Sequence, residues 1–476
     1  MKKSHSRWIA LIVVLSAPLL YVIDIFIINM AIPAIKAGVY ATDGEVQLVI
    51  AGYLLGSAAF LITGGRAGDY LGRKKVFFWG MFFFTLTSCL CGLSQTALQL
   101  NITRFFQGMS SSFMVPQSIA FIQVLFTDQQ ERAKAIGWYG ITLSIAAIIG
   151  QILGGYLVDT HFGIEGWRLI FFINLPVGII ALYAIWKFLD ETDKDIGKRF
   201  DYKGALILTA GLICLIYPLT QGREAGWPLW SIGLIALSVI IFVLFIRDQK
   251  TKHLQHRQPL IDMALFKIRE FNIGLLAVLF HFMMHTAFLL MSVVYLQNGL
   301  GLSALNCGLY FVLHAMLFMA SSAIASKLIV RFGKWVLQAG LLIILISFIL
   351  QIMLFREQVS ALCVNLLIGI YGLGNGLVLP FLLSIALKSV PTKFAGVAAG
   401  VFSTFQQTAS ALGISILGGI FYNVVDSNRQ HPHYLKAFQY GVSAGIICLF
   451  IVGFMLHLLP KIVKQDKAEV YAPECA

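Results

Sequence analysis

The feature that most constrains this chain is a series of apolar stretches, each long enough to cross a lipid bilayer. About 20 mostly apolar residues span the hydrocarbon core as a helix, and the 476-residue sequence contains about fourteen such stretches. Only 12% of the residues are charged, against roughly 25% in soluble domains. The sequence therefore predicts an all-α integral membrane protein. The predicted helices cover residues 8–33, 46–66, 76–95, 98–126, 135–158, 168–189, 204–221, 228–247, 271–296, 304–326, 335–355, 359–386, 395–421 and 436–459.

The distribution of Lys and Arg predicts how these helices are oriented. Cytoplasmic loops of membrane proteins carry an excess of both residues. With the N-terminus inside, all but seven of the 35 Lys and Arg residues lie on the inner side. We therefore expect a multi-pass protein of the cell (inner or cytoplasmic) membrane with both termini in the cytoplasm. The seven outer residues are Lys36, Arg104, Arg168, Arg223, Arg356, Arg429 and Lys436.

Several other classes of protein are disfavoured by the sequence. The net charge of +13 comes from short basic clusters between apolar spans, which do not indicate nucleic-acid binding. No C-x-x-C pair, H-E-x-x-H or G-x-S-x-G motif occurs, and His253 and His256 lack a consistent ligand spacing. We expect neither an enzyme nor a metal or cofactor site. The connection at 248–270 is expected to be a solvated linker with a surface helix around Ile261 to Lys267.

Asp24 is the only carboxylate that lies well inside a predicted span, whereas the other 21 acidic residues fall in loops, tails or helix ends. An ionisable group in hydrocarbon is costly and indicates a functional site. Arg104, in the fourth helix, has a similar predicted depth and also needs a partner. We expect the two side chains to interact directly, through water or through Gln107, with protonation of Asp24 changing the link. A fixed packing salt bridge is the alternative.

The segment from Gly64 to Lys75 carries the ordered pattern G-x-x-x-D-x-x-G-R-K between the second and third predicted helices. Its glycines allow tight turns and close helix approach, and its charges suit a loop that latches two helix bundles together. We expect a conformational latch in this predicted loop. Its residues are Gly65, Asp69, Gly72, Arg73 and Lys74.

With this segment, further ordered motifs make the chain resemble a major facilitator superfamily transporter of the fourteen-helix drug:proton antiporter type. The matching residues are Asp24, Asn29, Ala31 and Pro33 in the first helix; Arg104, Gln107 and Gly108 in the fourth; Gly150, Gly154 and Gly155 in the fifth; and Trp167, Arg168, Phe171, Asn174, Pro176 and Gly178 in the sixth.

The resemblance implies two six-helix bundles with two inserted helices and a cavity between the bundles near the bilayer midplane. We expect the first bundle in residues 1–189, the inserted helices and cytoplasmic loop in 190–270, and the second bundle with a short tail in 271–476. Gln151 and Ala146 depart from the antiporter pattern, where proline and glycine are usual. Antiport and symport therefore both stay open.

The remaining polar residues in the spans suggest where a substrate could bind. Candidates to face the cavity are Asn29, Tyr53, Gln107, Gln406 and Gln407. His281 and His285 share one helix face, and His314 lies on the next helix. These histidines either titrate and assist coupling or stay neutral in a helix interface.

The function predicted from these features is proton-coupled export of lipophilic small molecules by a monomer, with the substrate, protons and the bilayer as partners. A dedicated exporter or a proton symporter of one metabolite is the alternative.

Overall fold

The computed structural model describes residues 2–160, 163–192, 201–255, 257, 259–356, 359–387, 389–391, 395–426 and 433–459. This part of the chain is α-helical, without a strand, so the predicted fold class is confirmed. Its helices are α1 (Lys2–Gly38), α2 (Asp43–Leu71), α3 (Arg73–Leu93), α4 (Ala97–Leu125), α5 (Gln129–Asp159), α6 (Gly166–Phe172), α7 (Asn174–Phe188), α8 (Tyr202–Glu224), α9 (Leu229–Leu254), α10 (Arg269–Val294), α11 (Ala304–Phe332), α12 (Lys334–Leu354), α13 (Ala361–Leu387), α14 (Ala395–Asp426) and α15 (Tyr434–Leu458).

Thirteen segments among the described residues are long and apolar enough to cross a membrane, with α6 and α7 forming one of them. The 29-residue α4 is not among the thirteen. It carries Arg104, Gln107 and three consecutive serines at 110–112, all of which are buried. A helix this polar is tolerated in a bilayer when its polar groups face the protein interior. With α4, the number of spans agrees with the predicted fourteen.

The same pattern of helix packing occurs twice along the chain. In the first half α1 packs on α5, α2 and α3 pack on α4, and α7 packs on α3. In the second half α10 packs on α14, α11 and α12 pack on α13, and α15 packs on α12. The helices therefore form two six-helix bundles. The inserted helices α8 and α9 pack on each other, and α8 also contacts α2 and α14. The exact residue boundaries between these units stay a prediction.

Three predicted boundaries differ from the structure. The first helix continues through Pro33 to Gly38, because neighbouring groups in a membrane protein can satisfy the backbone hydrogen bond that a proline removes. The segment predicted as one helix at 168–189 is interrupted at Ile173, between α6 and α7. The predicted surface helix around 261–267 is a short 3-10 helix, Met263–Lys267, and its Leu265 side chain is fully buried.

The predicted loop at Gly64 to Lys75 is wrong, because α2 continues to Leu71 and α3 begins at Arg73. Only Gly72 separates the two helices, and its φ of +99° strongly favours glycine. Gly64 and Gly68 serve close packing instead. A Cβ on either would lie 2.0 Å from an oxygen of α4. We call the end of the bundles that carries Gly72 the latch end, and the opposite end the Tyr40 end.

Candidate functional site

Asp24 of α1 and Arg104 of α4 form the buried ion pair that the sequence predicts. Nη1 of Arg104 donates to Oδ2 of Asp24 over 2.6 Å. Each residue is 1% exposed. The pair lies where hydrocarbon would otherwise make either charge prohibitively unfavourable, so each group depends on the other.

Gln107 bridges the two charges. Its Oε1 accepts from Nη1 of Arg104 at 2.8 Å, and its Nε2 donates to Oδ1 of Asp24 at 2.9 Å. Nε of Arg104 donates to the carbonyl of Val49 on α2 at 3.0 Å. Helices α1, α2 and α4 are therefore joined by one set of hydrogen bonds. Adding a proton to Asp24 would remove the charge that organises this set.

Sequence reasoning missed two partners of this site. Asn174, at the start of α7, donates from Nδ2 to Oδ1 of Asp24 at 3.4 Å and to Oγ of Ser88 at 3.0 Å. The Tyr53 ring lies 4.3 Å from the Arg104 guanidinium carbon, within the range of a cation–π interaction. Asn174 was singled out only as part of a motif, and Tyr53 only as a cavity candidate.

A chain of aromatic contacts leads from the ion pair to the second bundle. The Tyr53 ring stacks on Tyr21 with ring centroids 6.1 Å apart. Nε2 of Gln407, on α14, donates to the Tyr21 hydroxyl of α1. The candidates Tyr53, Gln107 and Gln407 thus lie in one connected group. Asn29 instead donates to the Ile25 carbonyl of its own helix at 3.2 Å.

Gln406, the fifth cavity candidate, precedes Gln407 on α14 and is half-buried. Its cavity-facing role, like that of Asn29, stays a prediction.

The three histidines of the second bundle lie in a separate buried cluster. Nε2 of His281 is 2.8 Å from Oδ1 of Asn375, whose Nδ2 lies 3.2 Å from Nδ1 of His285. Nδ1 of His285 is also 2.7 Å from the Tyr371 hydroxyl. His314 stacks on Tyr371 with ring centroids 5.6 Å apart. The cluster joins α10 to α13 as the ion pair joins α1 to α4.

The latch segment is held by the chain that follows α7. Backbone N–H groups of Lys74 and Lys75 donate to the Glu191 carboxylate at 3.0 and 3.2 Å. Arg73 donates from Nη1 to the Ala120 carbonyl on α4 at 3.1 Å. Glu191 therefore caps the N-terminus of α3, a role not foreseen from the sequence.

Two latch candidates remain. A Cβ on Gly65 would lie 3.7 Å from Pro116, an ordinary contact. The side chain of Asp69 is outside the described residues, so its predicted role in the latch stays a prediction.

The glycines of α5 pack this helix closely on both bundles. A Cβ on Gly150 or Gly154 would lie 3.0 or 2.8 Å from a carbonyl oxygen of α1. A Cβ on Gly155 would lie 2.5 Å from the carbonyl oxygen of Ala304 on α11. Asp159 accepts from the backbone N–H groups of Ala304 and Leu305 at 3.3 and 2.9 Å. The two bundles therefore meet firmly at the Tyr40 end.

Comparisons with known proteins agree with this fold and site. A family model described as Major Facilitator Superfamily matches residues 14–414. A probable actinorhodin transporter of Streptomyces coelicolor is 32% identical over 88% of this chain and 73% of its own length. The multidrug resistance protein Stp of Mycobacterium tuberculosis is 27% identical over 90% of this chain and 78% of its own length.

Among solved structures, the inward-open xylose transporter XylE from E. coli superimposes with a TM-score of 0.66 at 14% identity, covering 97% of this chain and 98% of that one. This likeness shows the fold alone. Because the family model covers residues 14–414 and a transporter is 32% identical over 88% of the chain, the chain belongs to the major facilitator superfamily and is a membrane transporter rather than an enzyme.

Proposed function

We propose that this transporter exports lipophilic small molecules in exchange for protons, by alternating access, as a monomer with both termini in the cytoplasm. The observation that carries the proposal is the buried carboxylate of Asp24 in the middle of α1, held by Arg104 and Gln107. A proton on this carboxylate would remove the charge that Nη1 of Arg104 contacts, which would link proton binding to the arrangement of α1 and α4.

Coupling follows from what the ion pair organises. Protonation of Asp24 removes the anion that Arg104 binds, which leaves the guanidinium with the Val49 carbonyl and the Gln107 amide oxygen. The contact between α1 and α4 then changes. Because Tyr53 packs on Arg104, and Tyr21 connects Tyr53 to Gln407 of the other bundle, a proton at Asp24 alters the contact between bundles.

The substrate class is supported by the relatives. One of them is named for multidrug resistance and another as a probable transporter of a single compound, actinorhodin. The second candidate function, dedicated transport of one metabolite, is favoured by the higher identity to the actinorhodin transporter. Proton symport remains the alternative direction, because Gln151 replaces the usual proline of the helix-five motif.

Reconstitution in liposomes with an imposed proton gradient tests the proposal. The probe panel contains rhodamine 6G as a lipophilic monocation, together with one neutral and one anionic lipophilic dye. The wild type is expected to move at least one dye against the proton flux, and Asp24→Asn is expected to abolish the dependence on the gradient. Asp128→Asn makes the same chemical change at a surface helix cap and serves as the matched control.

Full gradient-driven transport by Asp24→Asn would overturn the role of Asp24. Movement of dye and protons in the same direction would establish symport instead of antiport. Transport of none of the dyes by the wild type would favour a dedicated metabolite transporter.

A further inference from the structure

The histidine cluster of the second bundle has hydrogen-bonding capacity that its own residues leave unused. We infer that His314 of α11 binds an uncharged hydroxyl group on an aromatic ring, so that phenols and hydroxyquinones are among the molecules this transporter exports. The inference rests on the proposed export of lipophilic molecules. It adds the chemical class of the substrate and the side chain that recognises it.

The histidine cluster occupies the place in the second bundle that the ion pair occupies in the first. A Cβ on Gly108 of α4 would lie 1.9 Å from the carbonyl oxygen of Tyr53 on α2. A Cβ on Gly372 of α13 would lie 2.4 Å from the carbonyl oxygen of His314 on α11. The repeated helix packing therefore makes Gly372 the counterpart of Gly108, and His314 the counterpart of Tyr53.

A polar contact beside each of these glycines is repeated as well. Gln107 directly precedes the glycine of α4, and its Nε2 lies 2.9 Å from Oδ1 of Asp24 on α1. Tyr371 directly precedes the glycine of α13, and its hydroxyl lies 2.7 Å from Nδ1 of His285 on α10. The two clusters are therefore related by the repeat of the fold, in which α10, α11 and α13 correspond to α1, α2 and α4.

The two clusters differ in how completely their polar atoms are paired. In the first bundle, both oxygens of Asp24 and both polar side-chain atoms of Gln107 have partners. In the second, neither ring nitrogen of His314 has a partner among the described residues, although the residue is only 4% exposed. Nδ1 of His281 also has none there. A buried polar group without a partner is unfavourable, so the second cluster is complete only when a hydrogen-bonding molecule joins it.

The two free nitrogens of His314 determine which chemical group fits. No charged side chain in the described part of the chain acts on this histidine, and an imidazole enclosed in this way is neutral. A neutral imidazole has one N–H donor and one acceptor nitrogen. A hydroxyl group suits whichever nitrogen it meets, because it both donates and accepts. A cation would find no anion here to balance its charge.

Aromatic rings surround His314 on several sides. Its ring is stacked on Tyr371, with centroids 5.6 Å apart and planes 16° apart, and on Phe318, with centroids 6.4 Å apart. Phe311 meets it edge-on at 6.1 Å. Stacked and edge-on arrangements favour a further aromatic ring. Helix α11 contacts α1 and α5 of the first bundle, so the helix that carries His314 lies at the interface between the bundles.

Binding of matched pairs of compounds tests the inference. The probes are 2-naphthol and 2-hydroxyanthraquinone, each compared with its methyl ether, which keeps the aromatic body and the oxygen but cannot donate. Dissociation constants are measured for the full-length protein in lipid nanodiscs at mildly acidic pH, where the hydroxyl groups stay protonated. Empty nanodiscs correct for partition of the probes into lipid.

The variants separate hydrogen bonding from shape. His314→Phe keeps an aromatic ring without nitrogens, His314→Leu removes the ring as well, and His314→Gln restores a donor and an acceptor. His457→Phe makes the same change at an exposed position near the end of α15 and is the matched control. Because the nitrogens of His314 have no partner in the described part of the chain, His314→Phe should unfold at no lower temperature than the wild type.

The wild type is expected to bind each hydroxyl compound roughly fivefold or more tightly than its methyl ether, a preference of the size that one hydrogen bond gives. His314→Phe and His314→Leu should lose this preference. His314→Gln should keep part of it, and His457→Phe should match the wild type.

Equal affinity of the wild type for hydroxyl compound and ether, or no affinity for either, would overturn the inference. An unchanged preference in His314→Phe or His314→Leu would do the same. Early unfolding of His314→Phe without a preference in the wild type would mean that the nitrogens bind water only.

Gradient-driven movement of the dye panel by the same wild-type preparation tests the proposed export separately. Dye transport without a hydroxyl preference overturns only the inference. A hydroxyl preference that depends on His314, without transport of any lipophilic molecule, would overturn the proposed export and leave only a binding site.

Discussion

The guanidinium of Arg104 and the carboxylate of Asp24 are 2.6 Å apart between α4 and α1, and both are shielded from solvent. Removing the anion of this pair does not have the same consequence as removing the cation. Arginine stays protonated in proteins, whereas a carboxylate left alone in an apolar site can take up a proton and become neutral. The pair therefore has one partner that can adapt and one that cannot.

Removing Asp24 should destabilise the protein more than removing Arg104. Asp24→Leu leaves a buried cation without its anion, and breaking such a pair costs about 3–5 kcal/mol. Arg104→Met leaves a carboxyl group that still accepts from Gln107 and Asn174. Thermal unfolding in detergent should rank Asp24→Leu below Arg104→Met. The double variant should unfold above Asp24→Leu, and the reverse order would show that Arg104 finds another counter-charge.

The histidine cluster of the second bundle should depend on Asn375 more than on Tyr371. Asn375→Leu removes the partner of His281 Nε2 and one partner of His285 Nδ1, and an unsatisfied buried polar group costs about 1–3 kcal/mol. Tyr371→Phe removes only one of two partners of His285, worth about 1 kcal/mol. Thermal unfolding should therefore fall further in Asn375→Leu. Equal losses would contradict a bridging role for the amide.

Scarcity explains why the central ion pair could be predicted from sequence. The predicted spans contain one deeply placed carboxylate, Asp24, and one deeply placed arginine, Arg104. Each therefore has only the other as a charged partner, and their similar depth along the helices was sufficient to predict the ion pair. Asn174, Tyr21 and Glu191 carry no such signal. An amide, a phenol and a loop carboxylate are common, and their roles arise only where the fold brings α7, the α1–α14 contact or the segment after α7 to the site.

The glycine-rich segment was misread for a related reason. Glycine indicates a turn and a close helix contact equally well. In this segment, only Gly72 has the positive φ of a turn between helices, whereas Gly64 and Gly68 allow α4 to pack closely on α2. The latch role that the family resemblance implies for this segment stays a prediction, and its local conformation is set by packing that the sequence alone does not reveal.

Asp159 should control how firmly the bundles close at the Tyr40 end. Its carboxylate accepts from two backbone N–H groups at the start of α11, where a negative charge is favoured by the helix dipole. Asp159→Ala should loosen this contact and expose Cys307, which is fully buried three residues further along α11 than Ala304. Maleimide labelling followed by peptide mass spectrometry should show faster modification of Cys307.

Cys448 of α15 provides an internal control for the Asp159 experiment, because it is also buried but lies away from α5. Its labelling rate should not change in Asp159→Ala. Asp159→Asn keeps one acceptor oxygen and should give an intermediate rate for Cys307. Equal acceleration at both cysteines would indicate general unfolding, and no acceleration at Cys307 would show that the cap does not hold the bundles together.

Asp201, just before α8, should make stability depend on pH in the acidic range. Its carboxylate accepts from Lys252 at 2.7 Å, from Gln249 at 2.9 Å and from the Leu260 N–H at 3.2 Å. Burial opposes ionisation, but these donors, the Gly204 N–H and the charge of Lys252 together lower the pKa of Asp201 below its ordinary value. A carboxyl group with a lowered pKa in the folded state stabilises the protein above its unfolded pKa, about 3.9. That contribution is lost as the pH falls through the folded value.

Thermal unfolding of the wild type and of Asp201→Asn should therefore differ most at neutral pH and converge as the pH is lowered below about 4. Asparagine keeps an acceptor for the backbone N–H groups but gives Lys252 no charge. Asp128→Asn again corrects for general acid destabilisation, since it alters a helix cap on α5. A constant difference at all pH values would mean that shape, and not charge, is what Asp201 contributes. The ionic contact would then have no part in joining α8 and α9 to the segment that leads into α10.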